Sequence, residues 1–411
     1  MTENIQKKFR SKIPLGIDVL SATKLRINKV FDAFDRITLS FSGGKDSTVM
    51  FHLVAEEARR RDRKFCVLFI DWEVQYHSTI THVANMRELY ADCIEDFYWV
   101  CLPITTVNGV SAIQPEWTAW EQNVNWIRQP PDGAITDYDY FPFYHYGMTF
   151  ESFIPAYNKW FSTEQPAAVM VGIRADESLN RFLAISSRRK LRLSPELPWT
   201  TQQKDGNCYA VYPLYDWKVR DIWRFHAVSG LPYNSIYDLM FRAGVSLPAM
   251  RICEPFGPEQ RKGLWLYHIL EPDTWSKACE RVSGAVSGAK YVRHGRDYFG
   301  KHRIEKPHHH TWQSYAYFLL SSLPLPTAEH YRTKIAVYLR WYQVRDWPEG
   351  IPDEQDGDTG SRDIPSWRRI CKVIMRNDYW CRGLSFSPTK SQNYRRYMER
   401  LKQQREEWGL I

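Results

Sequence analysis

Residues 39–53 read LSFSGGKDSTVMFHL, and four of them, Ser42, Lys45, Asp46 and Ser47, can hydrogen-bond around two adjacent glycines, Gly43 and Gly44. Both glycines can take positive φ and let an anion come close to the backbone. An apolar run precedes the turn and a helix-like pattern starts near Ser47, so unpaired N–H groups and the positive end of a helix dipole would converge there. Such a turn is a phosphate cradle. Lys45 would add a cation, and Ser42 and Ser47 would add hydroxyl donors. Asp46 would repel phosphate, which assigns it to a magnesium ion or to orienting the loop. The Walker A spacing is absent, because Gly43 and Gly44 are adjacent and Asp46 separates Lys45 from Ser47.

A second stretch, GIRADESLNR (172–181), opens on Gly172 and carries Arg174, Glu177, Ser178 and Arg181. Arg174 and Arg181 can bind an anion through their fork geometry. Glu177 and Ser178 can hold either Arg174 or a ribose. SSRRKLR (186–192) continues the basic run, and YPLYDWKVRDIWRF (212–225) offers Trp217 and Trp223 as packing anchors, with Asp216 and Asp221 as capping or orienting groups.

The elements that would position these residues follow from apolar periodicity. SATKLRINKVFDAFD (21–35) predicts a helix capped by Ser21, with Leu25, Val30, Phe31 and Phe34 on one stripe. RITLSF (36–41), KFCVLFID (64–71), DFYWVCLPI (96–104), AAVMVGIR (167–174) and CYAVYPL (208–214) read as buried strands alternating with helices. That pattern predicts an α/β protein with a mostly parallel sheet covered by helices on both faces. Ligands of such sheets bind at strand ends, where the first turn, the second stretch and Asp71 all fall. Residues 105–165, rich in Trp, Tyr, Phe and Pro, are too long for an ordinary connection and predict an insertion capping one sheet edge. The expected organisation is a helical lead-in over 1–35, a nucleotide-binding domain over 36–254 and a mainly helical basic region over 255–411. PDEQDGDTGSRD (352–363) reads as an exposed loop within the last region.

With 44% hydrophobic and 25% charged residues, the 411-residue chain reads as globular. No stretch reaches the ~18 apolar residues of a membrane span. The N-terminal MTENIQKKFRSKIP lacks the apolar core of a signal peptide, so a cytoplasmic location is expected. Basic residues concentrate in 281–411, which hold 23 Lys and Arg against 14 Asp and Glu. Arginines there stand beside aromatics, which suits contact with nucleic acid and equally a solvated helix face. The eight cysteines show no Cys-x-x-Cys spacing. An iron–sulfur cluster is therefore not suggested locally, although one gathered from distant cysteines stays open.

Ser-Gly-Gly-Lys-Asp-Ser resembles the pyrophosphate loop of the ATP pyrophosphatases, which cleave ATP between the α and β phosphates. Together with Gly-Ile-Arg-Ala-Asp-Glu-Ser and Pro-Leu-Tyr-Asp-Trp-Lys-Val-Arg-Asp-Ile-Trp, it resembles the PAPS reductase-like branch of the adenine nucleotide α-hydrolase (PP-loop) superfamily over roughly residues 36–225. LGIDVLSATKLRINKVFDAFD, FIDWEVQY, FPFYHYGMTFESF, MRICEPFGPEQRKGL and NDYWCRGLSFS are similar to a bacterial subgroup that includes immunoglobulin-binding regulator A. That subgroup is encoded beside a ParB-like nuclease-domain protein, which the resemblance implies as a partner.

The resemblance implies ATP and Mg²⁺, with Ser42, Gly43, Gly44, Lys45, Asp46 and Ser47 on the outer phosphates. Asp71 would border the adenosine, and Gly172, Arg174, Glu177, Ser178 and Arg181 would line the rest of the site. Lys45, Asp46, Arg174 and Arg181 would carry catalysis, with Asp46 on the magnesium. The reductases' Glu-Cys-Gly-x-His is missing and Lys45 and Asp46 are kept, so ATP is expected rather than PAPS. The expected activity is adenylylation of an acceptor: sulfate, nucleic acid or protein. Two rivals remain open. One is reduction or sulfur transfer through Cys253, beside Arg251. The other is a nucleotide-sensing regulator acting through its partner.

Overall fold

The computed structural model describes residues 16–386, apart from 112–113, 187–190, 204–206, 253, 258–262, 286–303, 305, 324, 346, 359–363 and 377. Helix α1 (Val19–Ala33) leads into strand β1 (Arg36–Ser40), helix α2 (Lys45–Arg60), β2 (Phe65–Ile70), α3 (His77–Leu89) and β3 (Ile94–Val100). A hairpin, β4 (Ile104–Val107) and β5 (Glu116–Ala119), precedes α4 (Phe150–Phe161), β6 (Ala167–Val171) and α5 (Leu179–Ser186). β7 (Thr200–Gln202), β8 (Cys208–Val211), α6 (Val219–Ser229), α7 (Ile236–Arg242), α8 (Leu264–Leu270) and α9 (Pro272–Arg281) follow.

Six strands form one sheet in the order β3-β2-β1-β6-β8-β7, parallel except for the β7–β8 pair. This is the expected α/β architecture. The five predicted strands are all present, each shorter at one or both ends. β7 and the β4–β5 hairpin were not anticipated, because three- and four-residue strands give too few alternations to read.

The alternation along β1 separates the two faces. Phe41 packs on Phe51 of α2 and on His82 of α3, while the Thr38 hydroxyl meets Tyr157 of α4 at 3.1 Å on the other side. The aromatic insertion lies along the β3 edge, where the Cys101 amide donates to the Ile135 carbonyl at 2.9 Å and the Ile135 amide to the Trp99 carbonyl at 2.7 Å. Phe141 packs on Phe153 and Trp160 of α4, and both Phe141 and Trp160 pack on Tyr98 of β3.

α1 departs from its predicted stripe. Asp18, not Ser21, caps it by accepting from the amides of Leu20 and Ser21. Leu25 is 57% exposed, whereas Ile27, Val30 and Phe31 are buried. Docking fixes that rotation: Arg26 forms a two-pronged pair with Asp216 at 2.8 and 2.6 Å, and Trp217 Nε1 donates to Thr23 at 2.8 Å. Asp216 is thus an orienting group, and Asp221 caps α6 through the Lys218 amide at 2.8 Å.

One apolar core runs from Ile27 to Ala285 and takes in α1, α8 and α9. A second gathers around the helices Trp312–Ser322, Leu325–Gln343 and Trp367–Met375. The acidic stretch after residue 352 is not simply exposed. Asp358 is fully buried against Arg368, Asp353 accepts from the amides of Trp312 and Gln313 at 2.9 Å, and Glu354 accepts from Trp312 Nε1 at 2.8 Å. These carboxylates cap one helix and pin it to another. The aromatic-basic segment 387–411 lies outside the described residues.

Candidate functional site

The chain leaves β1 toward β2 on one side and later returns to pair β6 on the other, so the strand order reverses between β1 and β6. A crevice opens at such a reversal, beyond the carboxyl ends of the strands. The Ser42–Ser47 turn follows β1 and Gly172–Arg174 follows β6, so both predicted stretches meet there.

Gly43 takes the left-handed conformation at φ +70°, and a Cβ there would stand 2.9 Å from Thr79 Cγ2 of α3. Gly44 does not share it. At φ −79° it is the extended N-cap residue of α2, which begins at Lys45, two positions before the predicted start. Ser47 Oγ donates to the Gly44 carbonyl at 3.1 Å and lies 3.0 Å from Ser42 Oγ, so the two hydroxyls close the turn on itself. Gly172 is required by proximity. A Cβ on it would lie 3.0 Å from Ser47 Cα and 3.2 Å from Ser47 N, so any larger residue would push the first turn of α2 back by a few tenths of an ångström.

The residues holding the turn from behind were not visible in the sequence. Asn234 Nδ2 donates to the Gly43 carbonyl at 3.0 Å and to Thr79 Oγ1 at 2.9 Å. The Lys45 amide donates to the Tyr237 hydroxyl at 3.0 Å, and His226 Nε2 donates to the Lys45 carbonyl at 3.0 Å. They lie some 190 positions away in an ordinary helical segment, with no motif to single them out.

The charged residues form one chain of contacts. Lys45 is 5% exposed, donates to the Met250 carbonyl at 3.1 Å and lies 3.1 Å from Asp46. Burial pushes its ammonium below the usual lysine range. Arg174, 2% exposed, does not face an open anion site as expected. It donates to Asp46, to Asp176 at 2.6 Å and to Glu177 at 3.0 Å, because a buried guanidinium needs acceptors and its own turn supplies them. Glu177 therefore takes the first of its two predicted roles, and it also pairs with Arg181 on the exposed side. Ser178 Oγ accepts from the Arg181 amide at 3.2 Å at the start of α5.

Asp71 does not border an open site either. It is 1% exposed and accepts from Trp99 Nε1 at 2.8 Å, from the Glu73 amide at 3.0 Å and from Arg128. A buried carboxylate at a strand end is stable only with such donors, and they tie β2 to the insertion. Cys253 lies outside the described residues. Burial pushes the thiols of Cys66, Cys208 and Cys371 up to about 12, which suits core packing rather than nucleophilic attack. No group of three or more His, Cys, Asp or Glu side chains that could hold a metal occurs among the described residues. No described helix is long and apolar enough to cross a membrane.

The phosphoadenosine phosphosulfate reductase domain model matches residues 36–122 and 155–243, the two segments that carry the turn and the β6 end. The chain is 56% identical over 400 residues to the Escherichia coli (strain K12) "Uncharacterized protein YbdN", covering 97% of this chain and 98% of that protein. The chain belongs to one family with that protein and carries a phosphoadenosine phosphosulfate reductase domain. In this family member the gap in the domain match, 123–154, falls inside the aromatic insertion, and residues 244–347 and 348–395 match a domain of unknown function, DUF3440.

Solved structures with a similar fold include phosphoadenylyl-sulfate reductase from Candida auris in a phosphate complex, at 14% identity over 53% of this chain and 84% of that one, TM-score 0.28. FMN adenylyltransferase from Candida glabrata, with FAD and inorganic pyrophosphate, shows 16% identity over 53% and 58%, TM-score 0.30. The U34-tRNA thiolase NcsA from Methanococcus maripaludis, with its [4Fe-4S] cluster, shows 13% identity over 70% and 81%, TM-score 0.30. At such scores the family assignment rests on the sequence matches, which concern the family and not the narrower immunoglobulin-binding regulator A subgroup.

Proposed function

We propose that this chain binds ATP with its outer phosphates on the Gly43–Ser47 turn and transfers the adenylyl group to an acceptor. The observation that carries the reading is Gly172 packed on the first turn of α2, with Gly43 left-handed, at the point where the strand order reverses. That arrangement brings β6, the turn and a helix N-terminus to one crevice, and anions are favoured at a helix N-terminus. A phosphate oxygen would replace the Met250 carbonyl on Lys45 and give its buried ammonium a second anion beside Asp46. Arg174, through Asp46 and Glu177, positions the turn rather than the substrate. Magnesium would arrive with the nucleotide, held by phosphate oxygens and Asp46, since this ion is commonly bound through one or two carboxylates plus substrate phosphates.

In the step itself an acceptor oxygen attacks the α-phosphorus in line. The bond to the bridging oxygen breaks, and pyrophosphate leaves with the bonding pair and is stabilised by Lys45 and the amides of the turn. The residues act by positioning and by charge stabilisation of the leaving group. Incubation with α-labelled ATP and fractionated acceptor pools should give pyrophosphate and a labelled acceptor in the wild type, and neither product in Lys45→Ala. ATP affinity that survives both Lys45→Ala and Gly43→Val would sink the reading.

A further inference from the structure

After α7 the chain crosses the glycine turn as a strap. The Met250 carbonyl accepts from Lys45 Nζ at 3.1 Å, and Ile252 Cγ1 stands 3.7 Å from where a Cβ on Gly44 would lie. Both ends of the strap are fixed. On the α7 side the Val245 amide donates to the Met240 carbonyl at 3.0 Å and the Met250 amide to the Ser246 carbonyl at 3.2 Å. On the other side the Phe256 carbonyl accepts from the Gly109 amide at 2.8 Å, Glu254 Oε1 accepts from Trp117 Nε1 at 3.1 Å, and Phe256 packs edge-on against Trp117. The strap is thereby pinned to the β4–β5 hairpin. It lies beyond residue 243, where the reductase domain match ends, in the stretch that matches DUF3440.

Arg251 sits between the two residues that touch the turn. Met250 is fully buried, whereas Arg251 is exposed and its side chain makes no hydrogen bond or ion pair among the described residues. Its guanidinium is nonetheless close enough to act on Lys45, whose ammonium is lowered first by burial and further by the charges of Arg174 and Arg251. The neighbouring cations are already engaged: Lys45 by Met250 and Asp46, Arg174 by three carboxylates and Arg181 by Glu177. Like charges held near each other are disfavoured until an anion joins them. An arginine fork is suited to phosphate, whose oxygens it takes two at a time.

We infer that Arg251 is a phosphate-binding residue, whose guanidinium takes the outermost phosphate of a polyphosphate seated on the Gly43–Ser47 turn. The inference rests on the phosphate site proposed above and adds to it a residue supplied by the strap. A phosphate oxygen that displaces the Met250 carbonyl from Lys45 frees the strap from the ammonium. Arg251, the next residue, restores the contact through the same phosphate group, so the ligand then holds the strap on the turn. Lys45 and Arg251 share the negative charge that pyrophosphate carries as it leaves.

The test is equilibrium binding of inorganic pyrophosphate to the full chain, comparing the wild type with Arg251→Met, Arg251→Lys and Lys45→Ala. The urea midpoint of Arg251→Met should match the wild type, because the side chain is exposed and unbonded. Its pyrophosphate affinity should fall about tenfold, the worth of one charge-assisted hydrogen bond, and Arg251→Lys should recover part of the loss. Added salt should weaken binding less steeply in Arg251→Met than in the wild type, since one ion pair fewer is screened. A merely structural role would move the urea midpoint and leave the salt dependence alone. Arg251→Met binding pyrophosphate as the wild type does, while Lys45→Ala does not bind, overturns this inference alone. So do equal salt dependences. Failure of the wild type to bind pyrophosphate overturns the phosphate site and this inference with it.

Discussion

Gly172 and Arg174, two residues apart, fix the site by opposite means: one by having no side chain, the other by having all three guanidinium nitrogens engaged. In Gly172→Ala the new Cβ meets backbone, which cannot swing aside. The first turn of α2 must shift, at a cost of about 1–3 kcal/mol. Urea unfolding should register that loss, and calorimetry should show pyrophosphate binding weakened by about tenfold or more. In Arg174→Met the carboxylates of Asp46 and Glu177, 13% and 8% exposed, lose their shared cation. Asp46 keeps Lys45 and Glu177 keeps Arg181, so the loss is that of charge-assisted hydrogen bonds, about 1.5–3 kcal/mol. Arg174→Lys should recover only part of it, because an ammonium cannot reach three acceptors in a plane. A wild-type urea midpoint for Arg174→Met would show that the network does not hold the turn.

At the scale of elements, α2 is buried along most of its length, and its polar groups are answered by neighbouring elements. His52 bonds the Tyr90 hydroxyl at 2.6 Å and the Pro232 carbonyl at 2.8 Å, and His82 of α3 bonds Thr48 at 2.9 Å. Burial lowers the imidazole of His52 to about 4 and that of His82 to about 3. The unfolded chain takes up protons on these rings near pH 6.5, whereas the native state does so only near their lowered values. Their contribution is therefore fully present above about pH 6.5 and lost as the pH falls toward 4, by on the order of 3 kcal/mol for each ring. Urea midpoints at pH 7 and pH 4.5 should differ less for His82→Gln than for the wild type. Equal differences would remove His82 as a source of acid sensitivity.

For the molecule as a whole, the core from Ile27 to Ala285 and the cluster from Ile304 to Phe386 make separable predictions. Asp353→Ala removes the acceptor for two amides at the start of the Trp312–Ser322 helix and should cost about 1–2 kcal/mol. Hydrogen exchange should report that loss in 312–322 and 367–375, while amides of β1 and β6 keep their protection. Faster exchange throughout the sheet would show that the two clusters unfold as one.

The strands, the glycine turn and its position at a strand end were legible in the sequence because each rests on local chemistry. Five apolar runs, a Ser-Gly-Gly turn and a Gly-x-Arg stretch need no distant partner to be recognised. The destinations of the charges were not legible, because they depend on which acceptors the fold brings within about 3 Å. Arg174 and Asp71 read as ligand-facing and are instead saturated by protein groups. Arg251 reads as the companion of Cys253 and comes to the turn only once the chain after α7 crosses Lys45 and Gly44. Backbone propensity and apolar period act over a few residues, so the sequence by itself determined the fold class and the glycine turn at the end of β1. Burial and pairing act across the sheet, so only the tertiary structure decided which polar groups remain free to meet a ligand.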